Sequence, residues 1–257
     1  MGDVDLIIDL HAGNPRQGPG GDDETRRAIE LARLDHAEPL AIADVGCGTG
    51  ASSLVLARTL NAHVTALDIA DPFLERLRER AADQGLSDRI DPVVGRMESL
   101  PFGDARFDVI WAEGAVYNIG FAEGLGAWKR FLRPGGIVAV SEITWTTASR
   151  PAAAEDHWNR EYPAIATASA KLQLVEQAGY EPLGVFFLPR DCWEAGYYEP
   201  LRAGFPAFLD RHAHGEAARR IVDAEQAEMS LYREHGRWYG YAFYIARKID
   251  GPMPGGC

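Results

Sequence analysis

The apolar run Ile42-Ala43-Asp44-Val45 breaks into glycines at alternate positions, Gly46-Cys47-Gly48-Thr49-Gly50, and constrains the chain more than any other feature. A helix-forming segment, Ala51 to Leu60, follows, then a second apolar stretch, Val64-Thr65-Ala66-Leu67, closed by Asp68. Glycine lets the backbone turn tightly and approach a ligand closely, because no Cβ stands in the way. An acid that ends the next strand is placed to accept hydrogen bonds from both hydroxyls of a ribose. Strand, glycine turn, helix, strand and acid, in that order, point to an open α/β sheet with a nucleoside cofactor at its carboxyl edge. The plainer alternative is an ordinary glycine-rich strand-to-helix turn.

Gly46, Gly48 and Ala51 also satisfy a relaxed dinucleotide fingerprint, so the glycines alone leave NAD open. Two features tilt the choice. Asp44, read as part of the turn region, would repel a pyrophosphate but suit an ammonium, and Gly50 falls two residues after Gly48 rather than three. The run resembles motif I of the class I S-adenosylmethionine-dependent methyltransferases, and Asp68 matches their ribose-binding acid. Further segments extend the resemblance over about residues 40–145. Gly95-Arg96-Met97-Glu98-Ser99-Leu100-Pro101-Phe102 looks like their adenine-contacting segment. Phe107 to Gly114 looks like their fourth strand with its loop, and Leu132-Arg133-Pro134-Gly135-Gly136 like the approach to their fifth.

That resemblance implies S-adenosylmethionine as cofactor and a Rossmann-like fold: a mainly parallel seven-stranded sheet, an antiparallel last strand and helical cap insertions. It makes Asp44, Gly46, Cys47, Gly48, Thr49, Gly50, Asp68, Ile69, Met97 and Glu98 cofactor-binding candidates. One departure stands out. Many relatives carry an acid at the position of Arg96, and arginine cannot accept a bond from the adenine amino group. Adenine recognition then leans on Glu98, backbone groups, or packing by Met97 and Ile69.

The rest of the pattern is consistent with one methyltransferase domain over residues 1–257. Strands are expected near 41–45, 63–68, 90–94, 107–112 and 136–142, with helices near 50–60, 71–84 and 121–132. Pro134-Gly135-Gly136 reads as a turn that ends a helix and launches a strand. A second block holds a helix near 168–178, a strand near 182–188 and an aromatic strand over 238–247, whose Tyr239, Tyr241, Phe243 and Ile245 alternate.

Upstream, Arg16-Gln17-Gly18-Pro19-Gly20 precedes a helix expected from Glu24. It resembles a segment in a subgroup of bacterial small-molecule methyltransferases, in which an N-terminal arm, here residues 1–35, closes over the cofactor. Arg16, Gln17 and Gly18 join the cofactor candidates, Arg16 as a fork and Gln17 as a neutral donor for a methionyl carboxylate. A flexible Gly/Pro-rich leader is the alternative.

Methyl transfer from a sulfonium is an in-line displacement that must align a nucleophile and exclude water. Residues after the carboxyl ends of the fourth and fifth strands should face the acceptor. Glu113 and Tyr117 are the catalytic candidates, Glu113 also as support for the cofactor's methionyl end. Asn118, Glu142 and Trp145 come next, and core packing is the rival explanation for Tyr117. Insertions at 145–167 and 189–236 supply an aromatic cap, with Ala218, Ile221, Val222, Met229 and Tyr232 on one stripe of a helix over 216–235. Glu225 falls on that stripe and is expected in solvent.

Composition narrows the function further. A formal charge of −12 lacks the electrostatic footprint of a nucleic-acid binder. Cys47, Cys192 and Cys257 have no metal spacing, and a sparse, odd set fits a reducing cytoplasm. No stretch approaches transmembrane length, so no membrane partner is expected. His157, His212 and His214 read as solvated loop histidines, and no metal site is expected. The acceptor is expected to be a small molecule; oligomeric state stays open, a homodimer included. Two rivals remain: a protein that binds S-adenosylmethionine or S-adenosylhomocysteine without turnover, and an NAD-linked oxidoreductase.

Overall fold

Alternation of apolar strands and amphipathic helices builds a twisted α/β sheet in the computed structural model, which describes residues 2–34 and 38–250. Cys257 and the expected arm boundary at residue 35 lie outside the described residues. The N-terminal helices α1 (Asp3–Ala12) and α2 (Asp22–Ala32) precede β1 (Leu40–Val45), α3 (Ala51–Thr59), β2 (Ala62–Asp68), α4 (Asp71–Asp83) and β3 (Ile90–Val94). Then come β4 (Phe107–Glu113), α5 (Phe121–Trp128), β5 (Leu132–Trp145), α6 (Ala152–Glu161), β6 (Ala166–Thr167), α7 (Ala168–Gln177) and β7 (Tyr180–Phe187). A π-helical turn, Glu194–Tyr198, leads into α8 (Glu199–Arg211), followed by α9 (Glu216–His235) and β8 (Tyr239–Lys248).

The strand order is β3-β2-β1-β4-β5-β8-β7, with the short β6 against β5. Strands β1 to β5 pair in parallel, and β8 runs antiparallel between β5 and β7. This is the expected Rossmann-like sheet. Chain order reverses direction at β1, between β2 and β4, and ligands of such sheets bind at that crevice beyond the strands' carboxyl ends.

Both faces of the sheet are covered, so the central strands are apolar almost throughout. Val109, Ile110, Trp111 and Ala112 of β4 are completely buried. One face packs Trp111, Ile143 and Phe243 against α2, α3 and the cap; the other packs Ile110, Val140 and Tyr244 beneath α5 and α7.

Five features differ from the sequence expectation. Pro134-Gly135-Gly136 does not precede β5 but bulges within it: the pairing with β4 slips between Phe107↔Leu132 and Val109↔Ile137, and Gly135 takes φ +69°. Helix α1 was not expected. Its apolar residues, including buried Leu6 and Leu10, sit among acids that satisfy the first turn. Helix α8 was hidden by Gly204 and Pro206, which ordinarily break helices. Glu225 does not point into solvent: it carries 16% side-chain exposure and meets His11 at 3.4 Å. His212 also leaves solvent, bonding Asp9 at 2.9 Å with its side chain 17% exposed. Among the described residues no helix is long and apolar enough to cross a membrane.

Gly50 shows how tightly the first crossover is set. Its φ is +82°, and a Cβ there would lie 2.1 Å from Cδ1 of the fully buried Leu77 on α4. Gly50→Ala combines backbone strain with overpacking and should lower stability by about 2–4 kcal/mol in urea unfolding. A loss below about 0.5 kcal/mol would contradict this packing.

Candidate functional site

At the carboxyl end of β1 the backbone turns through Gly46 (φ +74°) and Gly48 (φ +53°). A Cβ on Gly46 would stand 2.5 Å from that of Ala115, so only glycine lets the loop pass this close to the segment after β4. The amides of Gly46 and Cys47 both donate to the Leu67 carbonyl, at 2.8 and 3.0 Å. Asp68 then receives the Gly48 amide on Oδ2 and the Ala70 amide on Oδ1, each at 2.9 Å. One carboxylate thus braces both strand-to-helix turns. Burial raises the Asp68 pKa, and the amide bonds from Ala70, Gly48 and Ile69 oppose that rise.

Above these turns lies a cavity of about 440 Å³, a size suited to a small organic ligand. Of the cofactor candidates, Arg16, Gln17, Gly18, Gly46, Cys47, Gly48, Asp68, Ile69, Met97, Glu98 and Glu113 line it, and so does Tyr117. Ile69 is 60% exposed beside it, an apolar surface available for a planar ring. Glu98 forms an exposed ion pair with Arg96 at 2.9 Å. Val4 and Ile8 of α1 form part of the wall.

Asp44, Thr49 and Gly50 do not line the cavity. Asp44 is on β1 rather than in the turn, fully buried, and its Oδ2 accepts from Ser52 and Ser53 at 2.7 and 2.6 Å. Burial lifts its pKa to about 7, opposed by those serine bonds and reinforced by the Glu113 and Asp68 charges. Its Oδ1 has no hydrogen-bond partner. Thr49 anchors the arm: its Oγ1 donates to the Asn14 carbonyl at 3.2 Å and accepts from Arg80 Nη1 at 3.0 Å. Gly50 serves helix packing.

Gln17 takes a different part from the one expected. Its Nε2 donates to the carbonyls of His11 and Asn14 at 3.1 and 3.2 Å, which uses both amide hydrogens and leaves none for a carboxylate ligand. Its Oε1 accepts the Thr49 amide at 2.8 Å. A Cβ on Gly48 would stand 2.2 Å from that oxygen, so the second glycine makes room for the arm. Residues 11–17 are therefore a latched segment rather than a loose leader.

Glu113 sits at the centre of the site. Its Oε2 accepts from Arg16 Nη1 at 2.8 Å, and its Oε1 from Thr25 Oγ1 at 2.7 Å and Trp111 Nε1 at 2.9 Å. Burial would lower the Arg16 pKa, but the charges of Glu113 and Asp22 outweigh it and the net shift is upward. Three donors, one of them cationic, thus hold the carboxylate in place.

Tyr117 is 41% exposed, facing the cavity, with its ring edge-on to Tyr162 at 6.2 Å. Surrounding burial raises its hydroxyl pKa, so it stays protonated at neutral pH. Asn118 also lines the cavity, and its Nδ2 donates one hydrogen to the Ala115 carbonyl at 2.9 Å. Glu142 and Trp145 are buried away from the cavity wall, Glu142 at 3.5 Å from the equally buried Lys171. Sequence reasoning missed Thr25, Asp22 and Arg80. It could have found Trp111, since residues two apart on a strand share a face.

Residues 42–136 match the family model described as a methyltransferase domain. A malonyl-[acyl-carrier protein] O-methyltransferase of Pseudescherichia vulneris is 36% identical over 114 residues, which cover 44% of this chain and 43% of that enzyme. The chain spans about two fifths of the length of such curated relatives. A SAM-dependent methyltransferase of Geobacter sulfurreducens, solved with S-adenosyl-L-homocysteine, superposes with TM-score 0.81 at 19% identity, covering 94% of this chain and 97% of that one. The [4+2]-cyclase SpnF superposes with TM-score 0.76 at 25% identity, covering 96% and 93%. The fold is that of the Rossmann-like methyltransferases.

Removing the latch gives a direct test. Gln17→Ala should speed tryptic cleavage after Arg16 and raise hydrogen exchange at the Thr49 amide by about tenfold or more. The melting temperature should fall only slightly. Unchanged exchange at Thr49 would show that Gln17 does not hold the arm.

Proposed function

We propose that the cavity binds S-adenosylmethionine and that the chain transfers its methyl group to a small-molecule acceptor. The observation that carries this reading is Asp68: a carboxylate on the cavity wall, its inner lone pairs fixed by the Gly48 and Ala70 amides. A carboxylate has about four acceptor sites, so with the Ile69 amide also counted about one remains for a ribose hydroxyl. The cavity also fits the rest of the molecule. Ile69 and Met97 offer apolar contact for adenine, and Arg16 offers guanidinium N–H groups to a methionyl carboxylate. Asp68 and Glu113 make the interior electronegative, which suits a ligand bearing a sulfonium and an ammonium. The match of residues 42–136 to the methyltransferase domain supports the same reading over an NAD enzyme.

When bound, S-adenosylmethionine supplies a sulfonium methyl carbon: the acceptor's lone pair forms the new bond while the S–C bond breaks with its pair going to sulfur. The protein's part is alignment and exclusion of water. Arg16, held by Glu113 and Asp22, fixes the arm so that Val4 and Ile8 roof the cavity. Tyr117, protonated, orients an acceptor without removing its proton. The arm sequence Arg16-Gln17-Gly18-Pro19-Gly20 supports membership of the subgroup in which this segment covers the cofactor. Buried, unpaired Cys47 and Cys192 fit a cytoplasmic setting.

Two substitutions test the reading. Asp68→Ala removes a charged acceptor worth about 1.5–3 kcal/mol, so S-adenosylhomocysteine affinity measured by calorimetry should fall about tenfold to hundredfold. Unchanged affinity would remove Asp68 from the site. Glu113→Gln keeps the shape but takes away the Arg16 ion pair. It should weaken donor binding, and saturating donor should restore much of the rate. A hundredfold loss of kcat at saturating donor would instead make Glu113 a base.

A further inference from the structure

Beyond Tyr117 the interior is polar where an apolar cap would be expected. On α1, Val4 and Ile8 line the cavity, and helical spacing puts His11 on the same face about one turn further on. His11 Nε2 lies 3.4 Å from Glu225 Oε1 of α9, and its ring stacks on Tyr197 at 6.1 Å. Glu228, nearly one turn along α9, accepts from the Tyr198 hydroxyl at 2.9 Å. Tyr197 and Tyr198 belong to the π-helical turn before α8, a local geometry that often accompanies functional sites. The Tyr241 ring comes within 3.6 Å of where a Cβ on the cavity-lining Gly114 would stand.

These groups face one another. Burial raises the hydroxyl pKa of Tyr117, Tyr239 and Tyr241, and the Glu228 charge raises all three further. Burial, then the neighbouring Glu225 charge, lifts Glu228 itself to about 7; Tyr198 and His11 act against the rise. His11 is the one cation-capable side chain among the named influences on Glu228. Three nearby polar atoms are buried without a hydrogen-bond partner: Glu225 Oε2, His11 Nδ1 and Trp193 Nε1. His11 and Trp193 are only 6% and 2% exposed. Native proteins rarely leave such groups unpaired unless a polar occupant completes them.

The composition of this cluster selects the occupant. Two carboxylates three residues apart, answered by a single histidine, repel each other and favour an occupant that brings positive charge. The surrounding tyrosine rings present negative π faces, which attract organic cations. We propose that this cluster, adjoining the cavity at Tyr117 and Gly114, forms the acceptor subsite and that its ligand is an amine, held as an ammonium by Glu225 and Glu228 with Tyr117, Tyr197 and Tyr241 around it. The inference rests on the methyl-transfer reading above. A protonated amine has no lone pair to give, so its proton passes to a neighbouring carboxylate and then to water before the new N–C bond forms.

The test uses the full chain saturated with S-adenosylhomocysteine and reads ligand binding by calorimetry. The probes are trimethylamine and N,N-dimethylbenzylamine, matched in shape by tert-butanol and benzyl alcohol as neutral controls and by pivalate and phenylacetate as anionic ones. At least one amine should bind, and the controls should bind about tenfold more weakly or not at all. Glu225→Gln and Glu228→Gln should each weaken amine binding about tenfold or more while S-adenosylhomocysteine affinity and the melting curve stay close to wild type. Should Glu228→Gln fail to fold, Glu225→Gln carries the test. Controls that bind as tightly as amines, amine binding unchanged by both substitutions, or no amine binding to a chain that binds S-adenosylhomocysteine would each overturn the inference. A chain that does not bind S-adenosylhomocysteine overturns the cofactor reading first.

Discussion

The Glu113 carboxylate, about nine-tenths buried at the end of β4, joins three parts of the chain that are far apart in sequence. Arg16 brings the N-terminal arm, Thr25 brings α2, and Trp111 fixes the carboxylate to its own strand. Burying an ion pair gains little by itself, but removing one partner strands the other at a cost of about 3–5 kcal/mol. The arm is therefore coupled to the sheet edge by a contact that cannot be half broken cheaply. The cavity exists because this contact and the Gln17 latch hold α1 above the glycine turn.

A second carboxylate, Asp68, works at shorter range. It ties the first turn to the second through two backbone amides, and its position on β2 follows from parallel pairing of Val45 with Leu67. Asp44, on the neighbouring strand, supports the turn from beneath through Ser52 and Ser53. Three acids thus share one end of the sheet with different places: one lines the cavity wall, one holds the arm, and one braces the helix start. A fold of this kind does not settle turnover, since a chain named a [4+2]-cyclase shares it. Function has to be argued from the charges and contacts in the cavity.

How much of this was legible in the sequence depended on range. The glycine turn, Asp68 and the strand positions were readable because their causes are local: backbone sterics, alternation, and an acid directly after an apolar run. The parts that failed are long-range or masked. Gln17 looked like a ligand donor because its partners, His11 and Asn14, act through carbonyls that no side-chain pattern reveals. Glu225 looked solvated because its partner His11 lies 214 residues away. Helix α8 was obscured by Gly204 and Pro206, which are tolerated where Leu201, Phe205 and Phe208 are buried. Asp44 was misplaced by a residue or two, enough to move it from turn to strand and out of the cavity.

The cavity proposed above takes an adenosyl sulfonium rather than a dinucleotide. Calorimetric titration of the wild-type chain with S-adenosylhomocysteine, and separately with NAD, tests it most directly. One-to-one binding of S-adenosylhomocysteine with no heat from NAD is the expected result. Binding of NAD in the same cavity, or no binding of S-adenosylhomocysteine, would contradict it.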